Sequence, residues 1–210
     1  MRIDFTKLSP NRTQLRSHDI DRITIHGTAG QISVESLGEW FAKSSTKASS
    51  NLAIGSDGRR GLYVPMTSRS WCSSSTANDD RAVTIECSSD ATYPNALTDT
   101  VYSALIDLLV ELCAELRRPK LVWIRDKKTA LSYPPASDEL LLTVHRWFAA
   151  TECPGEWLMC RMGEIAETVT RRLAAPTVYR VQVGAFTDLR NAQRLRDQLH
   201  ELGFPEAFII

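Results

Sequence analysis

Arg22-Ile23-Thr24-Ile25-His26 alternates polar and apolar side chains, a period of two that predicts a strand ending at His26, just before the loop Gly27-Thr28-Ala29-Gly30. Ser33 is placed to cap a helix in which Val34, Leu37, Phe41 and the ring of Trp40 form one apolar stripe, and the Ser/Thr/Lys run from Lys43 to Ser50 ends it. Leu52-Ala53-Ile54 and Gly61-Leu62-Tyr63-Val64 flank Ser56-Asp57-Gly58-Arg59; Asp-Gly between two short apolar runs predicts a β-hairpin. The stretch from Ser68 to Asp80, rich in Ser, Thr, Asn and Asp, reads as an exposed loop. Ala82-Val83-Thr84-Ile85-Glu86-Cys87 reads as a central strand that Glu86 interrupts.

In the second half, Val101, Leu105, Leu108, Leu109, Leu112 and Leu116 fit one face of a long helix from Thr98 to Arg117, capped by Thr98 or Asp99 and limited by Pro119. Leu121-Val122-Trp123-Ile124 predicts a strand, and Arg125 to Glu139 a polar, proline-containing loop. A last helix follows Pro154 and carries Trp157, Met162, Ile165, Val169 and Leu173. The expected domains are therefore a main one over 1–173, a linker at 174–177, and a small unit over 178–210. That unit reads as β-α-β: Val178 to Gly184 alternates, Asn191 to Leu202 is amphipathic, Gly203 stops it, and Ala207-Phe208-Ile209-Ile210 is apolar. Its size is below what usually folds alone, so it is expected to lean on the main domain, a second copy or a further segment.

Composition narrows the function. With 43% hydrophobic and 24% charged residues the chain can bury a substantial core, and a formal net charge of zero removes the basic footprint of a nucleic-acid binder. No stretch has the length of a membrane span, and Met1 to Lys7 has no apolar core followed by small residues, so synthesis in the cytosol is expected. The five cysteines form an odd set without a CxxC pair, which argues against a disulfide framework and a four-cysteine zinc ribbon.

Histidine is scarce, with only His18, His26, His145 and His200, so two in strongly patterned contexts carry information. His145 follows the apolar run Leu141-Leu142-Thr143-Val144, and Cys153-Pro154-Gly155 comes shortly after it. Imidazole and thiolate are preferred zinc ligands, and a catalytic site uses three protein ligands with the fourth position left for water. A helix start after Cys153 would lower its thiol pKa. A His/Cys pair at this spacing also arises by chance.

Thr24-Ile25-His26-Gly27-Thr28-Ala29-Gly30, Ser56-Asp57-Gly58, Ser70-Trp71, Arg81 to Glu86, and Thr143-Val144-His145 with Cys153-Pro154-Gly155 resemble, in order, the motifs of the type-2 N-acetylmuramoyl-L-alanine amidases. This family is related to peptidoglycan recognition proteins and includes many phage endolysins. The resemblance, over roughly residues 20 to 173, implies an α/β fold with a central mixed sheet flanked by helices and a Zn2+ ion in a surface groove. It implies His26, His145 and Cys153 as zinc ligands and Glu86 as general base; a structural carboxylate paired with an arginine is the alternative for Glu86. Thr151 matches a residue that steadies the oxyanion, with capping of the following helix as its other reading. Trp71 and Asn51 are the expected substrate contacts. The chain departs from the family at Gly27, where relatives often have a second histidine; at Ser50, where some have tyrosine; and at Cys72, where relatives frequently have histidine after the tryptophan. Cys72 is expected to be a bystander thiol.

Tyr179 to Phe186, Asn191-Ala192 and Leu202-Gly203-Phe204 are similar to the first half of the sporulation-related (SPOR) repeat, which binds peptidoglycan glycan strands. The resemblance implies a half-module that binds the cell wall or pairs with another subunit in a homo-oligomer, a degenerate remnant being the alternative. Together the resemblances imply a hydrolase of bacterial peptidoglycan that cuts between N-acetylmuramic acid and L-alanine and reaches the wall after release by a holin or by lysis. The rivals are a recognition module without metal and a structural protein whose histidines satisfy core hydrogen bonds.

Overall fold

The computed structural model describes residues 1–174 and 181–209, and the chain divides into two compact units, Met1–Ala175 and Pro176–Ile210. The first unit runs in the order β1 (Phe5–Thr6), β2 (Arg12–Thr13), β3 (Arg22–Gly27), α1 (Val34–Phe41), β4 (Leu52–Ile54), β5 (Arg60–Leu62), β6 (Arg69–Ser70), α2 (Thr76–Asp79), β7 (Ala82–Cys87), α3 (Asp99–Glu115), β8 (Lys120–Val122), α4 (Lys127–Ser132), β9 (Glu139–Val144), α5 (Glu156–Met159) and α6 (Met162–Ala174). Seven strands form a mixed sheet in the order β1-β5-β4-β7-β3-β9-β8, antiparallel only at the β4–β5 hairpin, while β2 and β6 pair separately. The expected α/β class with a central mixed sheet and flanking helices holds.

Strand alternation gives the sheet two different faces. Ile23, Ile25, Val83, Ile85, Leu142 and Val144 point to one side and join the main core with Val101, Leu105 and Leu108 of α3 and Met162, Ile165 and Val169 of α6. The opposite side carries Thr24, Thr84, Thr143 and, at the strand ends, His26 and Glu86. Its threonines are fully buried, so their hydroxyls need partners. Thr24 and Thr143 bond each other at 2.7 Å, Asn78 Nδ2 donates to Thr24 Oγ1, and Ser70 bonds Thr84.

That demand explains why Ser68 to Asp80 departs from the expected exposed loop. Ser68, Ser70, Ser73, Asn78, Asp79 and Asp80 are buried, and the segment contains β6 and the short helix α2. Its hydrophilic composition matches a polar sheet face rather than solvent. The predicted hairpin and the helices after Ser33 and Thr98 form, each serine or threonine capping with its own side chain. Leu37 and Phe41 pack with Ala53 and Tyr63, but Trp40 lies outside that stripe at 50% exposure, its ring only resting against Phe41. The predicted loop after Arg125 contains α4, capped by Asp126, whose carboxylate accepts from Thr129 N–H. The single helix expected after Pro154 is two, α5 and α6. The chain turns at Cys160-Arg161, where the Arg161 guanidinium lies 4.0 Å above the Trp157 ring, so that Leu158 and Met162 are both fully buried. The apolar spacing runs on across that turn.

In the second unit the expected helix forms as α7 (Leu189–Glu201), capped by Asp188. The strand expected over Val178–Gly184 falls partly outside the described residues, as does Ile210; among those described, 181–184 and 207–209 form no strand. The α7 helix buries no residue, so its apolar stripe has no strand packed on it among the described residues. Among the described residues no helix is long and apolar enough to cross a membrane.

Removing the α3 cap tests the packing of this frame. The Thr98→Ala variant is expected to lose about 1 kcal/mol of stability in urea unfolding, with an unchanged denaturant slope.

Candidate metal centre

Strand register assembles the site. In the parallel β3–β7 pair His26 is the partner of Glu86, and in β3–β9 Ile25 is the partner of Val144, so His145 emerges beside His26. Three parallel strands thus end together, the edge at which open α/β sheets bind their ligands. The third group arrives on a loop: Arg146 N–H donates to Cys153 O, and Cys153 N–H donates to Thr151 Oγ1 at 3.2 Å. The loop lies so close to the end of β3 that a Cβ on Gly27 would stand 2.7 Å from Pro154 O. Gly155 (φ +93°) supplies the left-handed turn that starts α5.

One ligand atom from each of His26, His145 and Cys153 lies within 4.8 Å of the others, with Cys153 Sγ 3.5 Å from His26 Nδ1. Ring nitrogens also face hydroxyls: His26 Nε2 is 3.3 Å from Ser73 Oγ, and His145 Nε2 is 3.4 Å from Ser74 Oγ. Such partners fix ring orientation and tautomer around a metal. Asp79 holds this serine turn by accepting from the backbone N–H groups of Cys72 and Ser73.

Burial keeps the centre uncharged. It pushes His26 down to about 3, with the neighbouring His145 adding repulsion, and lowers His145 against the opposing pull of Asp79. Cys153 is pushed up to about 12, first by burial and then by Glu86, which outweigh the Gly27 N–H and Arg146. The expectation that a helix start makes Cys153 a thiolate is thereby corrected. Helix α5 begins only at Glu156, and desolvation dominates, so a bound cation is what would draw the proton off.

Glu86 is pushed up to about 7 by the same burial, opposed by a hydrogen bond from Cys72 Sγ to Oε1 at 3.7 Å. Its Oε2 is buried without a partner. Among the described residues no arginine pairs with it, which removes the structural ion-pair reading. Cys72 with His26 and Glu86 forms a second cluster of ligand-type groups sharing His26. Rather than a bystander, Cys72 is thus the carboxylate's hydrogen-bond donor; the signal available was its place directly after Trp71, in the motif position of the family's histidine. The serines and Asp79 gave no signal beyond a hydrophilic run.

The remaining candidates divide. Thr151 lines a groove of about 360 Å³ that also touches Gly27 and Cys153; it is not a helix cap, since Gly155 holds that position. Trp71 is half-buried, its indole N–H donating to Thr13 Oγ1. Asn51 is fully buried: Nδ2 donates to Val64 O, Pro65 O and Ser68 O, while Oδ1 accepts from Arg16 and from Thr84 N–H. With its amide consumed internally, Asn51 is a structural bridge and not the expected substrate contact.

Two imidazoles, a thiol and a carboxylate whose Oε2 has no partner thus meet at the end of a mixed sheet, a set of groups that could hold a metal ion. The family model for N-acetylmuramoyl-L-alanine amidase matches residues 16–156, and the chain belongs to that family. A second model, the SPOR domain, matches residues 164–210. Among solved structures, the catalytic domain of PlyG is similar with a TM-score of 0.55 and 15% identity, covering 86% of this chain and 100% of that one. AmpD gives 0.54 at 18% identity over 79% of this chain and 99% of its own. The N-acetylmuramoyl-L-alanine amidase LysC from Clostridium intestinale gives 0.50 at 14%, covering 74% and 91%. At these identities the likeness establishes the fold. Comparison with curated proteins finds no match.

Because Asn51 loses several buried bonds at once, Asn51→Ala is expected to cost about 3 kcal/mol in denaturant unfolding. A loss of substrate affinity with unchanged stability would return Asn51 to the groove.

Proposed function

We propose that the chain is a zinc-dependent peptidoglycan hydrolase that cleaves the amide between N-acetylmuramic acid and the L-alanine of the stem peptide, through His26, His145 and Cys153 as ligands and Glu86 as general base. The observation that carries this reading is the convergence of those three ligand atoms within 4.8 Å beside the partnerless Glu86 Oε2. The donor set suits the ion: tetrahedral bonds of about 2.1 Å to nitrogen and 2.3 Å to sulfur imply ligand separations of roughly 3.6 Å, and Sγ and Nδ1 stand 3.5 Å apart. A carboxylate-free ligand set of this kind favours zinc over magnesium or calcium.

Bound there, zinc supplies Lewis-acid polarisation of the scissile carbonyl and lowers the pKa of a water. Glu86 takes the proton of the attacking water; a carboxyl raised toward neutrality is matched to that task. As the C–N bond breaks, the same carboxyl returns the proton to the departing L-alanine nitrogen. Cys72 restrains Oε1 and leaves Oε2 to receive the proton. Thr151 Oγ1 already accepts from Cys153 N–H, so its own O–H is left to donate to the oxyanion. Residues 1–173 act as the catalytic domain and 178–210, joined by 174–177, add affinity for the wall, as the SPOR match suggests. Neither that match nor the helix α7 supports the homo-oligomer expected from the tail.

Digestion of purified peptidoglycan tests the reaction: new L-alanine amines without new reducing sugars are expected, and new reducing ends would make the protein a glycosidase. Metal analysis is expected to give one zinc per chain, lost in His26→Ala and Cys153→Ser. Glu86→Gln is expected to keep its zinc and lose on the order of 10³-fold in amide cleavage; wild-type cleavage by that variant would remove Glu86 from the mechanism.

A further inference from the structure

We infer that the groove beside Cys153 is a subsite for the uncharged glycan part of the substrate, with the ring of Tyr93 as its stacking platform. Naming the glycan rests on the peptidoglycan reading above; the groove and its chemistry do not. Tyr93 is 81% exposed, the highest value for any large hydrophobic side chain among the described residues of the first unit. It lines the same groove as Cys153, Thr151 and Gly27, so its ring shares one continuous hollow with a proposed metal ligand and the proposed oxyanion donor.

The ring stands on a braced segment. Asp90 N–H donates to Ala96 O, Asn95 N–H to Thr92 O, and Asn95 Nδ2 to Asp90 O, closing the loop on itself. Trp157 N–H donates to Pro94 O at 3.0 Å, tying the loop to the first turn of α5. A Cβ on Gly155 would meet Asn95 Cβ at 2.7 Å, so the Tyr93 loop and the Cys153 turn are packed backbone to side chain with no space between them. An exposed aromatic held by such a loop loses little entropy when a ligand covers it.

Charge selects the ligand class. The only charged residue lining the groove is Glu152, and no lysine, arginine or histidine lines it. Arg146, bonded to the carbonyls of Cys153 and Glu152, is engaged by Glu156 Oε2 and lies 4.0 Å from the Glu152 carboxylate. A stem peptide carries carboxylates for which this wall offers no cationic partner. A muramyl residue whose lactyl carboxyl is in the amide is uncharged, and a pyranose offers one face of C–H groups to an aromatic ring and hydroxyls to groups such as Thr151 and Asn95.

The probe is the disaccharide of N-acetylglucosamine and N-acetylmuramic acid with its lactyl carboxyl capped as the methylamide, titrated by calorimetry into the full chain carrying Glu86→Gln to prevent turnover. The free stem tripeptide is the comparison. Adding Tyr93→Ala is expected to weaken the disaccharide about fivefold or more and to leave the tripeptide unchanged, while Tyr93→Trp restores disaccharide affinity. Equal affinity with and without the ring, no disaccharide binding at all, or a loss confined to the tripeptide would each overturn the assignment. Because turnover is not read, a protein that cuts no amide yet binds the disaccharide through Tyr93 would sink the hydrolase reading and leave this one standing. Amide cleavage without ring-dependent glycan binding would do the reverse.

Discussion

The residue-by-residue alignment of β3, β7 and β9 is the constraint from which the site follows. In a parallel pair, partners in register point the same way, so pairing His26 with Glu86 leaves imidazole and carboxylate side by side without any loop having to bring them together. A slip of one residue in β3 would turn His26 toward the apolar core and Ile25 toward the site. The buried Ile23 and Ile25 forbid that slip, since it would put their side chains on the threonine face. Packing on one face thus sets the chemistry on the other.

The second consequence of that alternation is a polar interior. Thr24, Thr84 and Thr143 lie in water-free surroundings and are satisfied by Asn78, Ser70 and one another, and the segment that supplies these partners also presents Cys72, Ser73 and Ser74 to the site. Desolvation then acts on His26, Cys72, Glu86 and Cys153 in the same sense, toward neutrality: imidazole down, thiols and the carboxyl up. A pocket of neutral donors awaiting a cation is a different electrostatic object from a preformed thiolate. For an ion held there as proposed, affinity and loss of the Cys153 proton would be one coupled event.

Much of this was legible in the chain, and the exceptions share a cause. Elements whose signal is local were read well: the alternation of Arg22 to His26, the Asp57-Gly58 turn, and the caps at Ser33 and Thr98. The His26, His145 and Cys153 set followed from motif order, and the structure brings its atoms together. What failed depended on knowing what lies opposite. Ser68 to Asp80 is hydrophilic because it covers threonines, not because it meets water. Asn51 resembles a ligand-binding amide until its five partners from the segment between β5 and β6, Arg16 and β7 are counted. Helix α4 is too short and polar for periodicity to register, and the break between α5 and α6 leaves the apolar spacing undisturbed.

Gly27 limits which residue this scaffold can carry after its first histidine. Relatives often place a second histidine there, yet in this chain the space is filled by the carbonyl of Pro154, a backbone atom that cannot swing aside. Any side chain at position 27 would displace the turn that carries Cys153. In this chain the short contact therefore sets a side chain after the first histidine against the sulfur-bearing loop seated this close to the strand. Grafting that histidine onto this scaffold would push away the turn that seats Cys153 and so dismantle the centre it was meant to enrich.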